Sequence, residues 1–354
     1  MVKSSEDLDK NIIDWLEISI VGHGLDQLLE SGRITEPMLQ EIRGYFSQGN
    51  GTGYEFLPEG IEGHNQCSKF TIRFNKMNPQ LEFLCFGKYA LPDEIAKERS
   101  ISGYITKVEQ GITLKPLDLD IPDFIALEFL DPTEHPTLSK KFKDMNENQK
   151  AKTLDKLTGL IAKVSQLPLN ETIKKELMNR NYSTESSSWS FSKSIDYEPV
   201  ARTLNHNSSG LIENDLHFSN ILVNPNGTFR IIDWSRAMYG CPQTDLARIV
   251  ASSGYELDPK IEGQALGLFS DKAKISDYND FHRTYELAKL HQYFELAGMA
   301  ERQAAKNQLF LATQPDKYAL KVEQKKNQIA ELFDLRNTLI VYGKDYAREI
   351  GVKL

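Results

Sequence analysis

The stretch from residue 212 to residue 247 constrains the fold of this chain more than any other part of its sequence. A short loop carries Asp215 and Asn220, an apolar run from Thr228 to Ile232 ends in Asp233, and Asp245 follows at a predicted helix start. Phosphoryl transfer needs such a set, because one carboxylate must receive a hydroxyl proton and hard oxygen ligands must hold Mg²⁺ on the phosphates. The pattern therefore predicts that the loop and the strand end contribute residues to the same phosphoryl-transfer site.

The order and spacing of these residues resemble the catalytic segment of the aminoglycoside phosphotransferase and choline kinase superfamily, the small-molecule branch of the protein-kinase-like fold. The matching positions are Asn214-Asp215-Leu216-His217 with Asn220, Ile232-Asp233-Trp234, and Asp245-Leu246-Ala247. The resemblance implies that Asp215 is the catalytic base and that Asn220 and Asp233 are metal ligands. It also implies a bilobal α+β fold, with a small antiparallel-sheet N-lobe and a mainly helical C-lobe.

The chain departs from the family pattern at two positions. Glu213 stands where the family usually has a histidine that supports the loop. Because the three chemical positions are retained, we predict an active enzyme. Ser235 stands where many relatives with amine substrates have glutamate, which argues against a direct transfer of choline or aminoglycoside specificity. We expect Arg236 to be exposed, with contact to an anionic substrate group as the alternative.

Two further polar residues of this stretch have predicted supporting roles. His217 is expected to form hydrogen bonds behind the site, and contact with the phosphates or the metal is the alternative. Asp245 follows Thr244 at a helix start, where capping would explain it. The resemblance implies that Asp245 also braces the catalytic loop.

Lys88 and Glu98 are the candidates for holding the nucleotide phosphates. Lys88 lies near the end of a strand-like run, residues 81–90, and Glu98 lies on a helix predicted over residues 92–107. A kinase needs a lysine on the α and β phosphates and a carboxylate from the neighbouring helix to orient it. Should the strand register differ, Arg73 and Lys76 are the alternatives for the lysine, and Glu94 is the alternative acid. The alternative without a functional role is that Lys88 is a surface lysine and Glu98 a solvated glutamate.

Two backbone segments complete the predicted nucleotide site. Gly60 and Gly63, with Ser68 nearby, could form a loop over the phosphates, because glycine allows close approach of the backbone. An ordinary hairpin is the alternative. Residues 124–130 predict the last N-lobe strand and a hinge, and the backbone of Glu128 and Leu130 would meet adenine there.

The chain divides by composition and periodicity into three predicted parts. Residues 1–50 form an N-terminal helical extension, residues 51–130 a nucleotide-binding N-lobe, and residues 131–354 a C-lobe with the catalytic loop and the acceptor site. Within the C-lobe, the serine-rich residues 183–194 predict a mobile surface loop. The apolar stripe around residues 281–297 predicts a core helix, with a wall of the acceptor pocket as the alternative.

Charge and cysteine content limit which cellular compartment and which classes of binding partner we expect. The 354-residue chain carries a formal charge of −8, which argues against general nucleic-acid binding. Its three cysteines are widely spaced and fit a reducing cytosol. The first residues are polar and acidic, unlike a signal peptide, and no apolar run approaches the ~20 residues that span a bilayer. We therefore expect a cytoplasmic protein without membrane or nucleic-acid partners, of undetermined oligomeric state.

Together these features predict a phosphotransferase that uses Mg²⁺ and moves the γ-phosphate of ATP to a hydroxyl of a small molecule. The sequence leaves GTP open as the donor and does not name the acceptor, since a fold carries no substrate. A pseudokinase that binds nucleotide or acts as a scaffold is one alternative, and Glu213 and the loose glycine segment favour it. A protein kinase is the other. Against it, Asp233 is followed by Trp-Ser rather than Phe-Gly, and no activation segment ends in Ala-Pro-Glu.

Overall fold

A computed structural model describes residues 54–60, 66–74, 81–117, 124–128, 130, 133–252, 259–313 and 319–354. The predicted helical extension, Gly63 and Lys76 lie outside these residues. The described strands, in chain order, are β1 Tyr54–Gly60, β2 Gln66–Phe74, β3 Leu81–Tyr89, β4 Pro116–Leu117, β5 Phe124–Glu128, β6 Gly210–Ile212, β7 Ile221–Val223, β8 Phe229–Ile231 and β9 Met238–Gly240. The described α-helices are α1 Pro92–Val108, α2 Leu138–Phe142, α3 Glu147–Ser165, α4 Glu171–Glu176, α5 Tyr182–Ser187, α6 Glu198–His206, α7 Gln243–Ser252, α8 Pro259–Ala273, α9 Tyr278–Thr313 and α10 Ala319–Glu349.

The first five strands form one sheet in the order β1-β2-β3-β5-β4, and each neighbouring pair is antiparallel. Strands β1 and β2 form a hairpin whose last pair is Gly60 and Ser68. Strand β3 lies inside the sheet, so Lys88 pairs with Cys67 on one side and with Ile125 on the other. The predicted strand over residues 81–90 and the predicted helix that follows it are confirmed to within a residue.

The chain forms two compact units that do not follow its order. The first unit runs to Pro136 and also includes Asn224–Arg236, while the second consists of Thr137–Val223 and Ala237–Leu354. The late segment is tied into the first unit by hydrogen bonds. The N–H of Ile231 donates to the carbonyl of Ile112 at 2.7 Å, and the indole of the fully buried Trp234 donates to Oγ1 of Thr113 at 2.9 Å. A segment remote in sequence therefore completes the unit that carries Lys88.

The second unit is mainly helical. Helix α3 buries one apolar face, with Leu154, Leu157 and Ile161 each no more than 3% exposed. Helix α9 packs against α10 and buries Phe281, Tyr285, Leu290, Phe294 and Ala297, so this aromatic stripe is core. Across the helices that the structure describes, none combines the length and the apolar character needed to cross a membrane.

The serine-rich segment is folded, and the prediction of a mobile surface loop was wrong. It contains α5 and a short 3₁₀ turn, Ser192–Ser194. Trp189 and Phe191 are buried, and Trp189 lies so close to Gly298 on α9 that a Cβ there would come within 2.6 Å of the indole. Serine hydroxyls bond to backbone carbonyls three residues earlier, as at Ser187 and Ser188. Burial of the aromatic rings and these local bonds outweigh the loop-like composition.

The predicted α+β class is confirmed, with small antiparallel sheets and a mainly helical C-terminal part. The predicted division at residues 50 and 130 stays a prediction.

Candidate active site

Lys88 lies between two carboxylates within the first unit. Its Nζ is 2.8 Å from Oε2 of Glu98 and 2.5 Å from Oδ1 of Asp233, and the hydroxyl of Ser235 donates to the same Asp233 oxygen at 2.7 Å. Lys88 and Glu98 are only 3% and 1% exposed. We call these four residues the lysine cluster. The predicted pairing of Lys88 with Glu98 is thus present, and Asp233 joins it from 145 residues along the chain.

Burial and charge act against each other in the lysine cluster. Burial raises the pKa of Glu98 to about 7 although Lys88 opposes the shift. Burial alone would lower the pKa of Lys88, but the carboxylates of Glu98 and Asp233 outweigh it and raise that pKa. Burial alone would raise the pKa of Asp233, but Lys88 outweighs it and lowers that pKa. The lysine cation and the Asp233 carboxylate therefore stabilise each other's charged forms.

Asp233 adopts a backbone conformation that aspartate seldom takes. Its φ is +65°, in the left-handed region, at a cost on the order of 1–3 kcal/mol for such a residue. The neighbours of Asp233 hold it there, since Trp234 is fully buried and Ser235 bonds to its carboxylate. The turn directs the Asp233 carboxylate to Lys88.

The predicted catalytic loop is held from behind by Asp245. Its Oδ2 accepts the N–H of Glu213 at 2.7 Å, and its Oδ1 accepts the N–H of Asn214 at 3.0 Å. Oε2 of the fully buried Glu213 accepts the N–H of Asp215 at 2.9 Å. Asn214 has a φ of +70°, which asparagine tolerates better than most residues. Glu213 thus supports the backbone of the loop, and Asp245 braces the loop.

The side chain of Asp215 forms an ion pair inside the second unit. Nη2 of Arg248, on α7, donates to Oδ1 of Asp215 at 2.7 Å. The Asp215 side chain is 19% exposed and that of Arg248 only 4%. A carboxylate that remains partly accessible is thus fixed from its buried side.

Asn220 and His217 lie in the same loop. The N–H of Asn220 donates to the carbonyl of His217 at 2.8 Å, and its side-chain amide donates to the carbonyl of Asp215 at 3.3 Å. Nδ1 of His217 accepts the N–H of Ser219 at 3.2 Å and so caps the short turn Phe218–Asn220. The loop geometry therefore ties Asn220 to Asp215, and His217 contributes to the shape of the loop.

The structure distinguishes between several alternatives that the sequence left open. Glu94 is exposed and Glu98 buried, so Glu98 is the acid that meets Lys88. Arg236 is exposed, as expected. Glu128 donates its N–H to the carbonyl of Lys115 at 2.9 Å and forms an ion pair with Arg230 at 2.8 Å through its side chain. Phosphate contacts by Gly60, Gly63 and Ser68, and adenine contacts by Glu128 and Leu130, stay predictions.

Arg248 is a residue of the site that was not predicted from the sequence. A signal was available, because Arg248 follows Asp245 by three residues on a predicted helix. Residues at that spacing lie on the same helix face. If Asp245 braces the loop, the next turn of the helix can also reach it.

One group of side chains in the second unit has the composition of a metal site. Ligand atoms of Glu185, His291 and Glu295 lie within 4.8 Å of one another. Nη2 of Arg180, however, is 2.9 Å from Glu185, 3.1 Å from Glu295 and 3.0 Å from Nε2 of His291. A guanidinium already supplies the cation at this position. We call Arg180, Glu185, Glu295, Arg248 and Asp215 the arginine cluster, because the two arginines connect the three carboxylates.

Comparison with known proteins identifies the segment that carries these loops. Residues 200–287 match the model of the phosphotransferase enzyme family, APH. The matched range contains Asp215, Asn220, Asp233 and Arg248. No curated protein sequence is significantly similar to the chain.

Solved structures resemble the chain in fold at low sequence identity. A choline kinase from Cryptosporidium parvum aligns with a TM-score of 0.54 and 11% identity, covering 97% of this chain and 96% of that one. An ethanolamine kinase from Plasmodium vivax aligns with a TM-score of 0.53 and 14% identity, covering 90% and 93%. A choline kinase from Streptococcus pneumoniae aligns with a TM-score of 0.47 and 15% identity, covering 84% and 99%. At such identities the similarity shows the fold alone.

Proposed function

We propose that the chain is a small-molecule kinase of the aminoglycoside phosphotransferase and choline kinase superfamily, and the match of residues 200–287 to the phosphotransferase enzyme family supports this assignment. It transfers the γ-phosphoryl group of a nucleoside triphosphate, with ATP as the expected donor, to a hydroxyl group of a small acceptor. Asp215 is the base, Lys88 binds the phosphates with Glu98 as its partner, and Asn220 and Asp233 bind Mg²⁺.

The observation that carries the proposal is the position of Lys88 between Glu98 and Asp233, at 2.8 and 2.5 Å. A buried ammonium with two carboxylate partners is held ready for an anion. Its flexible stem and three rotatable donors allow it to turn from a carboxylate to a phosphate oxygen. Phosphoryl transfer depends chiefly on such positioning and on charge stabilisation.

Asp215 supplies the acid–base part of the reaction. The acceptor oxygen forms a bond to the γ-phosphorus while the bond from that phosphorus to the bridging oxygen breaks, and the nucleoside diphosphate leaves. The hydroxyl proton passes to the Asp215 carboxylate. A carboxylate is a weak base toward an alcohol, so Asp215 acts mainly by orienting the hydroxyl and accepting its proton late.

The donor set fits magnesium. Asn220 offers an amide oxygen and Asp233 a carboxylate, and hard oxygen ligands are the ones that Mg²⁺ takes, together with substrate phosphates and water. When bound, the ion neutralises charge on the transferring phosphoryl group. The remaining contribution of this chain is to hold the Asn220 loop and the Asp233 turn in their backbone conformations.

Choline and ethanolamine are the first acceptors to test, after the names of the two fold relatives with TM-scores of 0.54 and 0.53. Ser235 counts against an unchanged amine specificity, because many relatives with amine substrates have glutamate there. The acceptor panel should therefore extend to neutral and acidic hydroxylated metabolites and to aminoglycosides.

The test is phosphate transfer from ATP, or from GTP in parallel, to this panel in the presence of Mg²⁺. We expect transfer to at least one acceptor. Asp215→Asn should lower kcat by about 10²-fold or more, as loss of a general base does. Asp271→Asn, on the exposed surface of α8, is the matched control and should keep wild-type turnover.

Two outcomes would contradict the proposal. Nucleotide binding without transfer to any acceptor would indicate a pseudokinase. Transfer to protein acceptors alone would indicate a protein kinase.

A further inference from the structure

Arg248 contacts the one side chain that the proposed reaction needs as a base. Its Nη2 is 2.7 Å from Oδ1 of Asp215, and its side chain is 4% exposed. An arginine in this position can fix a carboxylate because the guanidinium is planar and its donors have fixed relative directions. The orientation of the Asp215 side chain is therefore coupled to the orientation of the guanidinium.

The guanidinium is itself anchored on α9. Nη1 of Arg248 donates to Oε1 of Gln292 at 3.1 Å and lies 3.6 Å from Oε2 of Glu295. Nη1 thus meets α9, while Nη2 meets both the catalytic loop and, at 3.3 Å, the sulfur of Met299 on α9. With α7 carrying the backbone of Arg248, three separate elements determine where the Asp215 carboxylate lies.

A second arginine holds Glu295 in place behind Arg248. Arg180 is 3.1 Å from Oε1 of Glu295 and is 3% exposed. Burial alone would raise the pKa of Glu295, but Arg180, followed by His291 and Arg248, outweighs it and holds that pKa well below its usual range. Glu295 therefore stays charged and keeps attracting Arg248.

We propose that Arg248 is a positioning residue for the base, holding one oxygen of Asp215 so that the other can receive the proton of the acceptor hydroxyl. The inference rests on the proposed function, since it assigns Arg248 a part in the same reaction. The backbone of Asp215 is held by Glu213 at 2.9 Å. Arg248 adds a constraint on the side chain itself.

The experiment is a double-mutant cycle between Arg248 and Asp215. Rates are measured as phosphate transfer and as ATP hydrolysis without acceptor, with enzyme in excess so that slow reactions are resolved. Arg248→Ala should lower kcat by about 10²-fold, the size expected when a reacting group is misplaced by about 1 Å. The KM values for ATP and acceptor should change by less than about threefold, because positioning acts in the transition state.

The effect of Arg248→Ala should disappear in the Asp215→Asn background. Two residues that act through one group are strongly non-additive, whereas independent structural effects multiply. Arg248→Lys keeps the charge and should recover about tenfold of the rate lost in Arg248→Ala. Arg336→Ala removes an arginine of the same unit that pairs with Glu301 on α9 at 4.0 Å, and it should keep the wild-type kcat. Thermal melts show that each variant is folded.

Three results would overturn the inference. The first is a wild-type kcat in both Arg248→Ala and Arg248→Lys when each variant is folded. An undiminished loss from Arg248→Ala in the Asp215→Asn background would show that Arg248 acts apart from the base. Either result leaves the proposed function intact if the wild type transfers phosphate. A wild type that neither transfers phosphate nor hydrolyses ATP would overturn the proposed function and this inference with it.

Discussion

The lysine cluster and the arginine cluster place different cations around carboxylates that the proposed reaction needs. In the lysine cluster, the single ammonium of Lys88 is shared by Glu98 and Asp233 at 2.8 and 2.5 Å. In the arginine cluster, Arg180 and Arg248 are arranged around Glu185, Glu295 and Asp215, with Glu295 between the two guanidinium groups. Each cluster has one more carboxylate than cations, but the lysine cluster has a single cation on a flexible stem. The arginine cluster is a chain of planar groups, each held on more than one side.

The difference corresponds to two different tasks. A lysine ammonium is a compact charge that can change partners by rotating its stem, whereas a guanidinium is fixed in direction once two of its nitrogens are bound. We therefore expect the lysine cluster to exchange a carboxylate for a phosphate during the reaction. The arginine cluster should keep its contacts throughout and act as a rigid support for the base.

The largest effect is expected on stability, from the arginine cluster. Arg180→Met removes a buried cation, so that Glu185 loses its guanidinium partner and Glu295 keeps only Arg248 at 3.6 Å. Breaking a buried pair from one side costs about 3–5 kcal/mol in the free energy of unfolding. Urea denaturation of wild type and variant measures it. A loss below about 1 kcal/mol would show that this cluster is no more rigid than a surface ion pair.

Lys88→Ala should act on turnover more than on stability. It removes the cation expected on the phosphates, and loss of one such electrostatic contact lowers the rate by about 10²–10³-fold. Steady-state kcat/KM and a thermal melt are the two measurements. Lys88→Arg is the control. It retains the positive charge but replaces the ammonium with a planar guanidinium, the cation of the arginine cluster.

Full activity in Lys88→Arg would break the comparison between the two cations. A loss found in Arg73→Ala instead of Lys88→Ala would show that Arg73 serves the phosphates.

Asp245 provides a pH test of the support behind the loop. Burial raises its pKa to about 6 from an ordinary 3.8, although the N–H groups of Glu213 and Asn214, then Arg180 and Arg248, oppose the shift. The folded protein then binds a proton at a higher pH than the unfolded chain. The resulting stabilisation is present at low pH and is lost as the pH rises through 6.

When the pH is lowered from 7 to 5, protonation of Asp245 should add roughly 1 kcal/mol to the free energy of unfolding. Asp245→Asn should lack that contribution, so the measurement is the difference in pH dependence between wild type and variant by urea denaturation. Identical pH dependence would mean that the Asp245 carboxylate titrates alike in the folded and unfolded chain.

The smallest effect is expected at Glu213. Its Oε2 accepts the N–H of Asp215 at 2.9 Å, and the amide oxygen of Glu213→Gln can do the same. Since a hydrogen bond contributes about 1 kcal/mol net, kcat should fall by no more than about fivefold. Turnover of Glu213→Gln beside Asp215→Asn checks this. Equal and severe losses in both would mean that Glu213 takes part in the chemistry.

Local sequence patterns were sufficient for several elements of the fold. Apolar runs located β3 and β5, and helical patterns located α1 and α9. The failure at residues 183–194 has a specific cause. Serine content signals a loop, but Trp189 and Phe191 are buried, and Gly298 on α9 leaves room for the indole. That space depends on a residue more than a hundred positions away.

The sequence by itself determined which residues could carry the chemistry, because phosphoryl transfer restricts their types and the spacing from Asp215 to Asn220, Asp233 and Asp245 is local. Only the tertiary structure decided which of them meet. Asp233 reaches Lys88 because Ile231 and Trp234 dock their segment on Ile112 and Thr113. Arg248 reaches Asp215 because Gln292 and Glu295 of α9 hold its guanidinium. Packing between distant segments determines these contacts, and the periodicity of one segment holds no information about how that segment packs against another.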